Sequence, residues 1–230
     1  MKKSLSFFVF SILLLFISTN VISQETRKLN IDKFSKITLN ISADVYIEQG
    51  STQKVVAEGS ERLINLLETE VSSGKWSIEY TERNVKTHNE KLSIKITIPN
   101  IEAIKVNSSG DITGSGTFTA DDFYVGINGS GDIHLDLDVK NLTLSVNGSG
   151  DMHLSGKTEL TDANINGSGD IKANKLKSNT ADVGINGSGD IYIHVIDRLE
   201  AKVNGSGDVN YTGDPDIKSR SYGSGDVRKK

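Results

Sequence analysis

The chain has 230 residues, 26 of them Lys or Arg and 30 Asp or Glu, with no cysteine. That composition excludes a disulfide framework and a lipid anchor built on a cysteine, and a net charge of −4 argues against nucleic acid as a partner. About 200 residues are enough to bury one sizeable core.

The opening residues, MKKSLSFFVFSILLLFISTNVIS, place Lys2 and Lys3 before an apolar run at 7–17 and end with Val21 and Ser23 at the −3 and −1 positions of a cleavage site. This pattern predicts a secretory signal peptide over residues 1–23. Cleavage before Gln24 leaves 230 − 23 = 207 residues and a charge of 24 − 30 = −6, because two lysines and no acids are removed. No later apolar run is long enough to cross a bilayer. The exported chain is therefore expected in the periplasm, at the outer-membrane surface or outside the cell.

Residues 24–230 read as one domain. Its first part, 24–104, is strand-rich but irregular, with polar and apolar residues alternating at 36–39, 45–47, 76–80 and 92–98, the period of a half-buried strand. One helical piece interrupts it: in SERLINLLETE, Ser60 is placed to cap a short helix with Leu63, Ile64 and Leu67 on one face.

Residues 105–230 are built from copies of one template. INGSGDI occurs at 127–133, 165–171 and 185–191, and VNSSGDI (106–112), VNGSGDM (146–152), VNGSGDV (203–209) and SYGSGDV (221–227) follow the same plan. The seven motif aspartates, Asp111, Asp132, Asp151, Asp170, Asp190, Asp208 and Asp226, are separated by 21, 19, 19, 20, 18 and 18 residues. A period near twenty signals a repeat architecture. NISADVYI, at 40–47, carries Asn40, Ser42, Asp44 and Val45 in the same register, so a decayed copy precedes the clean ones.

Each unit is a strand, an NGSG corner, a second strand and a variable connector. Residues two apart share a face of a strand, which puts Ile127 and Ile133 inside and Asp132 and His134 outside. Gly-Ser-Gly supplies positions that tolerate φ > 0 at a sharp corner. Hairpins joined in a meander do not require identical corners. In a parallel β-helix each corner sits about 4.8 Å above its copy, and like side chains hydrogen-bond along a ladder. The expected fold is accordingly all-β, a parallel, right-handed β-helix of ~20-residue coils with GSGD corners, in which Asn107, Asn128, Asn147, Asn166, Asn186 and Asn204 form a column beside the aspartates.

The recurring GSGD with alternating strands, following a strand-rich segment that ends ITIPNIEAIKVNSSGDI, resembles the head GIN domain family of auto-transporter adhesins, found in exported bacterial proteins. The resemblance covers nearly all of 24–230. It implies a β-helix-like fold and a place in the bacterial envelope, with a function that is largely unassigned beyond the family's adhesin label. The chain departs from the auto-transporter plan, since the repeats occupy the length that a translocator barrel would need.

The aspartate column poses the main chemical question, because carboxylates about 4.8 Å apart repel by roughly 0.9 kcal/mol even in water. Two arrangements offset that. Each Asp accepts hydrogen bonds from the amides or the Ser hydroxyl of its own corner, or cations such as Ca²⁺ bridge successive coils. The order Gly-x-Gly-Asp does not match the calcium-binding nonapeptide repeat, which has a double glycine and one more residue before its Asp. His134 and His153 each lie two residues past a motif Asp and fall on adjacent coils, where two imidazoles are candidate Zn²⁺ ligands. The Asn-Gly-Ser triplets at Asn128, Asn147, Asn166, Asn186 and Asn204 also read as glycosylation acceptors, a by-product of a structural corner. Arg228, Lys229 and Lys230 place charge at a strand edge, where it discourages end-to-end pairing.

No catalytic constellation stands out: there is no Cys, and no Gly-x-Ser-x-Gly elbow lies between a strand and a helix. The sequence therefore predicts a non-enzymatic cell-envelope protein, an adhesin or structural scaffold presenting a repetitive polar surface to glycans or other envelope polymers. The rival readings are a polysaccharide-active β-helix enzyme, with clustered charges in one atypical coil, and a cation-dependent structural protein with no specific ligand.

Overall fold

The computed structural model describes residues 24–87 and 90–230; the expected signal peptide lies outside the described residues. In chain order the elements are β1 (Gln24–Leu29), β2 (Lys36–Leu39), β3 (Asp44–Gln49), β4 (Lys54–Ser60), α1 (Glu61–Asn65), β5 (Val71–Ser72), β6 (Lys75–Ile78), β7 (Leu92–Ile98) and β8 (Ala103–Val106). Long strands that bend around the coil follow: β9 (Ile112–Ile127), β10 (Ile133–Val146), β11 (Met152–Ile165), β12 (Ile171–Gly187) and β13 (Ile191–Gly205). The last coil is divided among β14 (Val209–Thr212), β15 (Asp216–Gly223) and β16 (Val227–Lys229).

From β9 to β13 every neighbour is parallel and the strand ends flanking the corners are in register, with Ile133 opposite Ile112 and Met152, and Val146 opposite Ile127 and Ile165, while shifts fall in the middle of three of the four pairings. This is the parallel β-helix that the repeat predicts. The alternation works as expected: Ile127, Ile133, Ile165, Ile171, Ile185 and Ile191 are fully buried, each stabilising the fold by about 1.5–3 kcal/mol relative to exposure. The 21-residue spacing is accommodated by a register shift between His134 and Asp136, where β9 takes a detour through Gly114 and Gly116. A polar pair also enters the core, Thr161 and Ser178, whose hydroxyls lie 2.7 Å apart.

The stack extends back into the irregular part. β2 and β3 form the first coil, with β2 parallel to β8 and β3 parallel to β9, and the NISADVYI corner lies beneath Asn107–Asp111 as its register predicts. On its other side this coil is covered by β6 alongside β2 and by β7 alongside β3. Three antiparallel pairings, β5 with β6, β4 with β7 and β1 with β4, complete the cap. The cap has its own anchor in Trp76, fully buried, whose indole N–H donates to the Glu68 carbonyl at 3.0 Å. Ser60 caps α1 by accepting the Leu63 N–H at 3.2 Å.

Candidate functional site

The corner determines how the outer face is presented. Asn107 donates to Asn40 (2.8 Å), Asn128 to Asn107 (3.0 Å), Asn147 to Asn128 (3.0 Å), Asn166 to Asn147 (3.0 Å), Asn186 to Asn166 (3.1 Å) and Asn204 to Asn186 (2.9 Å). The column ends below on Glu79, which accepts from Asn40 at 2.6 Å. From Asn40 to Asn186 each amide thus uses one donor downward and one acceptor upward, an arrangement that requires Asn in each of these copies, and the column stops at Asn204, which faces Tyr222 of the last copy.

The glycines serve a different purpose from the one their sequence suggests. Most motif glycines do not have positive φ, Gly205 (140°) and Gly223 (127°) being among the exceptions. The constraint is close approach: a Cβ on Gly131 would sit 1.9 Å from the Gly110 carbonyl oxygen, and one on Gly150 2.1 Å from that of Gly131. The corner of the coil below therefore leaves no room for a side chain. The first coil has no such corner beneath it, and there the corresponding positions are occupied by Ile41 and Ala43.

The aspartates also differ from the own-corner closure expected of them. Asp111, Asp132, Asp151, Asp170, Asp190 and Asp208 each accept, through Oδ1, the backbone N–H of the next coil's aspartate at 2.8–2.9 Å. The chain supplies counter-charge itself. Lys172 Nζ lies 2.6 Å from Asp151 Oδ2 and 3.6 Å from Asp170 Oδ2; Arg228 pairs with Asp208 and lies 3.8 Å from Asp226; and the Tyr192 hydroxyl donates to Asp190 at 3.1 Å. Burial would raise the pKa of Asp151, but the bonds from Lys172 and the Asp170 amide outweigh it and leave the carboxyl below its ordinary range.

Two residues past the aspartates, His134, His153, Lys172 and Tyr192 form one row along the axis, each opposite the next. The imidazoles stack face to face, with centroids 4.3 Å apart and planes 3° from parallel. Parallel rings point their nitrogen lone pairs the same way, whereas a zinc ion needs ligands converging at about 2.0–2.1 Å. Among the described residues no group of three or more His, Asp or Glu is placed to hold a metal ion. Burial, together with the charges of His134 and Lys172, holds His153 below its ordinary pKa.

This row lines a groove of about 620 Å³ with Asp136, Ser155 and Lys175. Asp136 accepts from the Ser155 hydroxyl at 2.6 Å and from Thr117 at 2.5 Å, and these bonds lower its pKa. A carboxyl held ionised in this way is a poor general acid near neutral pH. Sequence reading did not identify Asp136 or Ser155 as lining a site. Both lie four residues past a motif aspartate, an offset that marks the same outward column.

A family model described as "Putative auto-transporter adhesin, head GIN domain" matches residues 33–215. No curated protein matches the chain. Among solved structures, a "putative adhesin" from Bacteroides fragilis is 23% identical with a TM-score of 0.84, covering 90% of this chain and 97% of that one. A "putative adhesin" from Parabacteroides merdae is 22% identical with a TM-score of 0.74, covering 90% and 95%. A "putative lipid binding protein" from Parabacteroides distasonis is 26% identical with a TM-score of 0.73, covering 90% and 96%.

Proposed function

The chain belongs to the head GIN domain family, and from that premise we propose that it is an exported, non-enzymatic envelope protein that binds repetitive polymers such as glycans through the outer face of its β-helix. The observation that carries this reading is the row His134, His153, Lys172 and Tyr192, held in register on adjacent strands and bordered by two hydrogen-bonded ladders. A site built on rigid strands needs little ordering on binding. Its repeat, about 4.8 Å per coil, suits a partner that is itself repetitive.

The non-enzymatic reading is supported by corners that are interchangeable from coil to coil and by the groove's one carboxylate, whose oxygens are occupied by hydroxyls. The lipid-binding name of the P. distasonis protein does not transfer readily, because columns of Ile, Leu and Val fill the interior that an acyl chain would otherwise occupy. Export is supported by the signal-peptide pattern of residues 1–23.

A glycan-binding screen with the purified protein, alongside protease shaving of intact producing cells, tests the proposal. We expect binding to a subset of glycans and its loss in a Tyr192→Ala/His153→Ala double variant. Uniform silence across the screen would sink the binding role and leave a purely structural one, and release of shortened sugars from a bound polymer would show an enzyme.

A further inference from the structure

The row of the His groove continues beyond it, and from its length and its paired charges we infer that it is one track for an uncharged, extended β-linked polysaccharide lying along the helix axis. The inference rests on the display reading above and narrows it. Beneath His134 the register column passes to Thr113 and then to Tyr46 in the first coil. Tyr46 is 47% exposed and lines a second hollow, of about 330 Å³, which meets the His groove at Gly114. Six consecutive positions, Tyr46, Thr113, His134, His153, Lys172 and Tyr192, thus lie in one line. A phenol ring stands at each end, with five coil rises, about 24 Å, between them.

Charge selects against an ionic ligand. Lys172 is held by Asp151 at 2.6 Å and Asp170 at 3.6 Å, and Lys95, opposite Tyr46, by Glu58 at 3.3 Å. Asp136 accepts from two hydroxyls, and Glu48 accepts from Thr97 at 2.8 Å. Lys175 lines the groove as one exposed cation on a face that also carries the aspartate column. Cations along the line are answered by carboxylates, and carboxylates by amides and hydroxyls, so an ionic ligand would compete with pairs already made, whereas sugar hydroxyls need no counter-charge. Dimension then selects among neutral chains. An extended β-1,4-linked chain advances by about one coil rise per sugar, so six sugars meet six positions in register, whereas an α-1,4-linked chain coils away from a straight track. The tyrosine rings offer apolar area to the C–H faces of the outer sugars. The imidazoles, whose faces cover each other, leave their edges for the hydroxyls between.

The test is calorimetric titration of the full mature protein with cello- and N-acetylchito-oligosaccharides of two, four and six sugars and with maltohexaose, at two salt concentrations. In at least one β-linked series we expect affinity to rise at least tenfold from two sugars to six, to exceed that of maltohexaose at least tenfold, and to be unchanged by salt. Tyr46→Ala should lower the affinity for the six-sugar chain about tenfold, to that of the four-sugar chain, while Tyr46→Phe keeps the ring and the affinity. Tyr222→Ala, at an exposed tyrosine off the line, should leave it unchanged. Circular dichroism of the variants excludes misfolding. Maltohexaose binding as tightly as the β-linked chains, or six-sugar binding untouched by Tyr46→Ala, overturns the inference and leaves the display reading intact if the broad screen finds any other glycan. Binding that weakens strongly with salt also overturns it, because charge would then be what the protein reads. If no glycan binds in the broad screen either, the display reading fails as well.

Discussion

Gly150 shows how a single hydrogen in place of a methyl sets the geometry of a coil. A Cβ there would approach the Gly131 carbonyl oxygen to 2.1 Å and the Gly131 carbonyl carbon to 2.9 Å, and backbone cannot rotate away as a side chain does. Gly150→Ala should therefore lower stability by roughly 3 kcal/mol in a urea titration, the scale of overpacking in a core. Ala43→Gly, the reverse change in the coil with no corner beneath it, should cost only about 1 kcal/mol, mostly chain entropy. Equal losses at the two positions would mean that backbone freedom, and not approach, explains the glycines. His153 allows a second test at this scale. Its pKa is depressed by burial and by His134 and Lys172, against the opposing pull of Asp151 and Asp132, so below its ordinary value of 6.5 the unfolded chain binds more protons than the folded one. Stability then falls as pH drops through that region. Asp136, Asp151 and Asp208 are also depressed; their contribution is present above pH 3.8 and lost below it as pH falls through the folded values. Thermal melts from pH 8 to pH 3 should show two steps of loss, and His153→Gln should abolish the upper one alone.

At the scale of the element, the ladder is the unit of specificity. Asn147 makes one bond down to Asn128 and receives one from Asn166, so Asn147→Ala removes two rungs and should cost about 1–2 kcal/mol. Asn204 makes its downward bond to Asn186 and lies opposite Tyr222, so Asn204→Ala should cost about half as much; calorimetry of the two variants checks the ratio. Four residues before the Asn column and on the same strand face, Asp162, Asp182 and Glu200 stand in one register column, and burial plus the charges of Glu200 and Asp162 raises the pKa of Asp182. Asp182→Asn should accordingly stabilise the protein at pH 7 by a few tenths of a kcal/mol, a small rise in Tm. Much of this was legible in the sequence. The two-residue period identified the strands and put Ile127 and Ile133 on the inner face, and a repeat of about twenty residues identified the coil; together they predicted the Asn column and even the first corner at Asn40. What could not be read was any interaction whose partner lies in the next copy and is contributed by the backbone. The Asp111 carboxylate accepts from the Asp132 amide, and nothing within one motif distinguishes that donor from the nearer amides of its own corner. The glycines were misread for the same reason, because close approach is a relation between coils. The cap was hidden because residues 50–102 separate the first corner from the second, removing the period that exposes the others.

For the whole molecule the question is how a row of like charges persists along the axis of a chain whose mature charge is expected to be −6. The answer lies in where the chain places its own donors. Six aspartates share their Oδ1 with an amide of the next coil, Lys172 lies between Asp151 and Asp170, and Arg228 between Asp208 and Asp226. With repulsion of roughly 0.9 kcal/mol per adjacent pair at water's dielectric constant, two cations and six charge-assisted hydrogen bonds, the latter stronger than neutral ones, are enough to hold the column without an external ion. Melting curves of the intact protein in EDTA and in excess Ca²⁺ should therefore superimpose. The same reasoning predicts when they should separate. Lys172→Met keeps the stem that packs along the strand and removes the charge, leaving Asp151 and Asp170 facing each other on adjacent coils of a parallel stack. In a solenoid each coil is stabilised mainly by its neighbours, so a weakness at this junction weakens the junction between the two halves of the stack. The variant should melt lower than wild type in EDTA, and Ca²⁺, which binds carboxylate oxygens at 2.3–2.6 Å, should recover part of the loss. If Ca²⁺ stabilises the wild-type protein as much as the variant, ions already bridge the column and Lys172 is not the counter-charge that holds it.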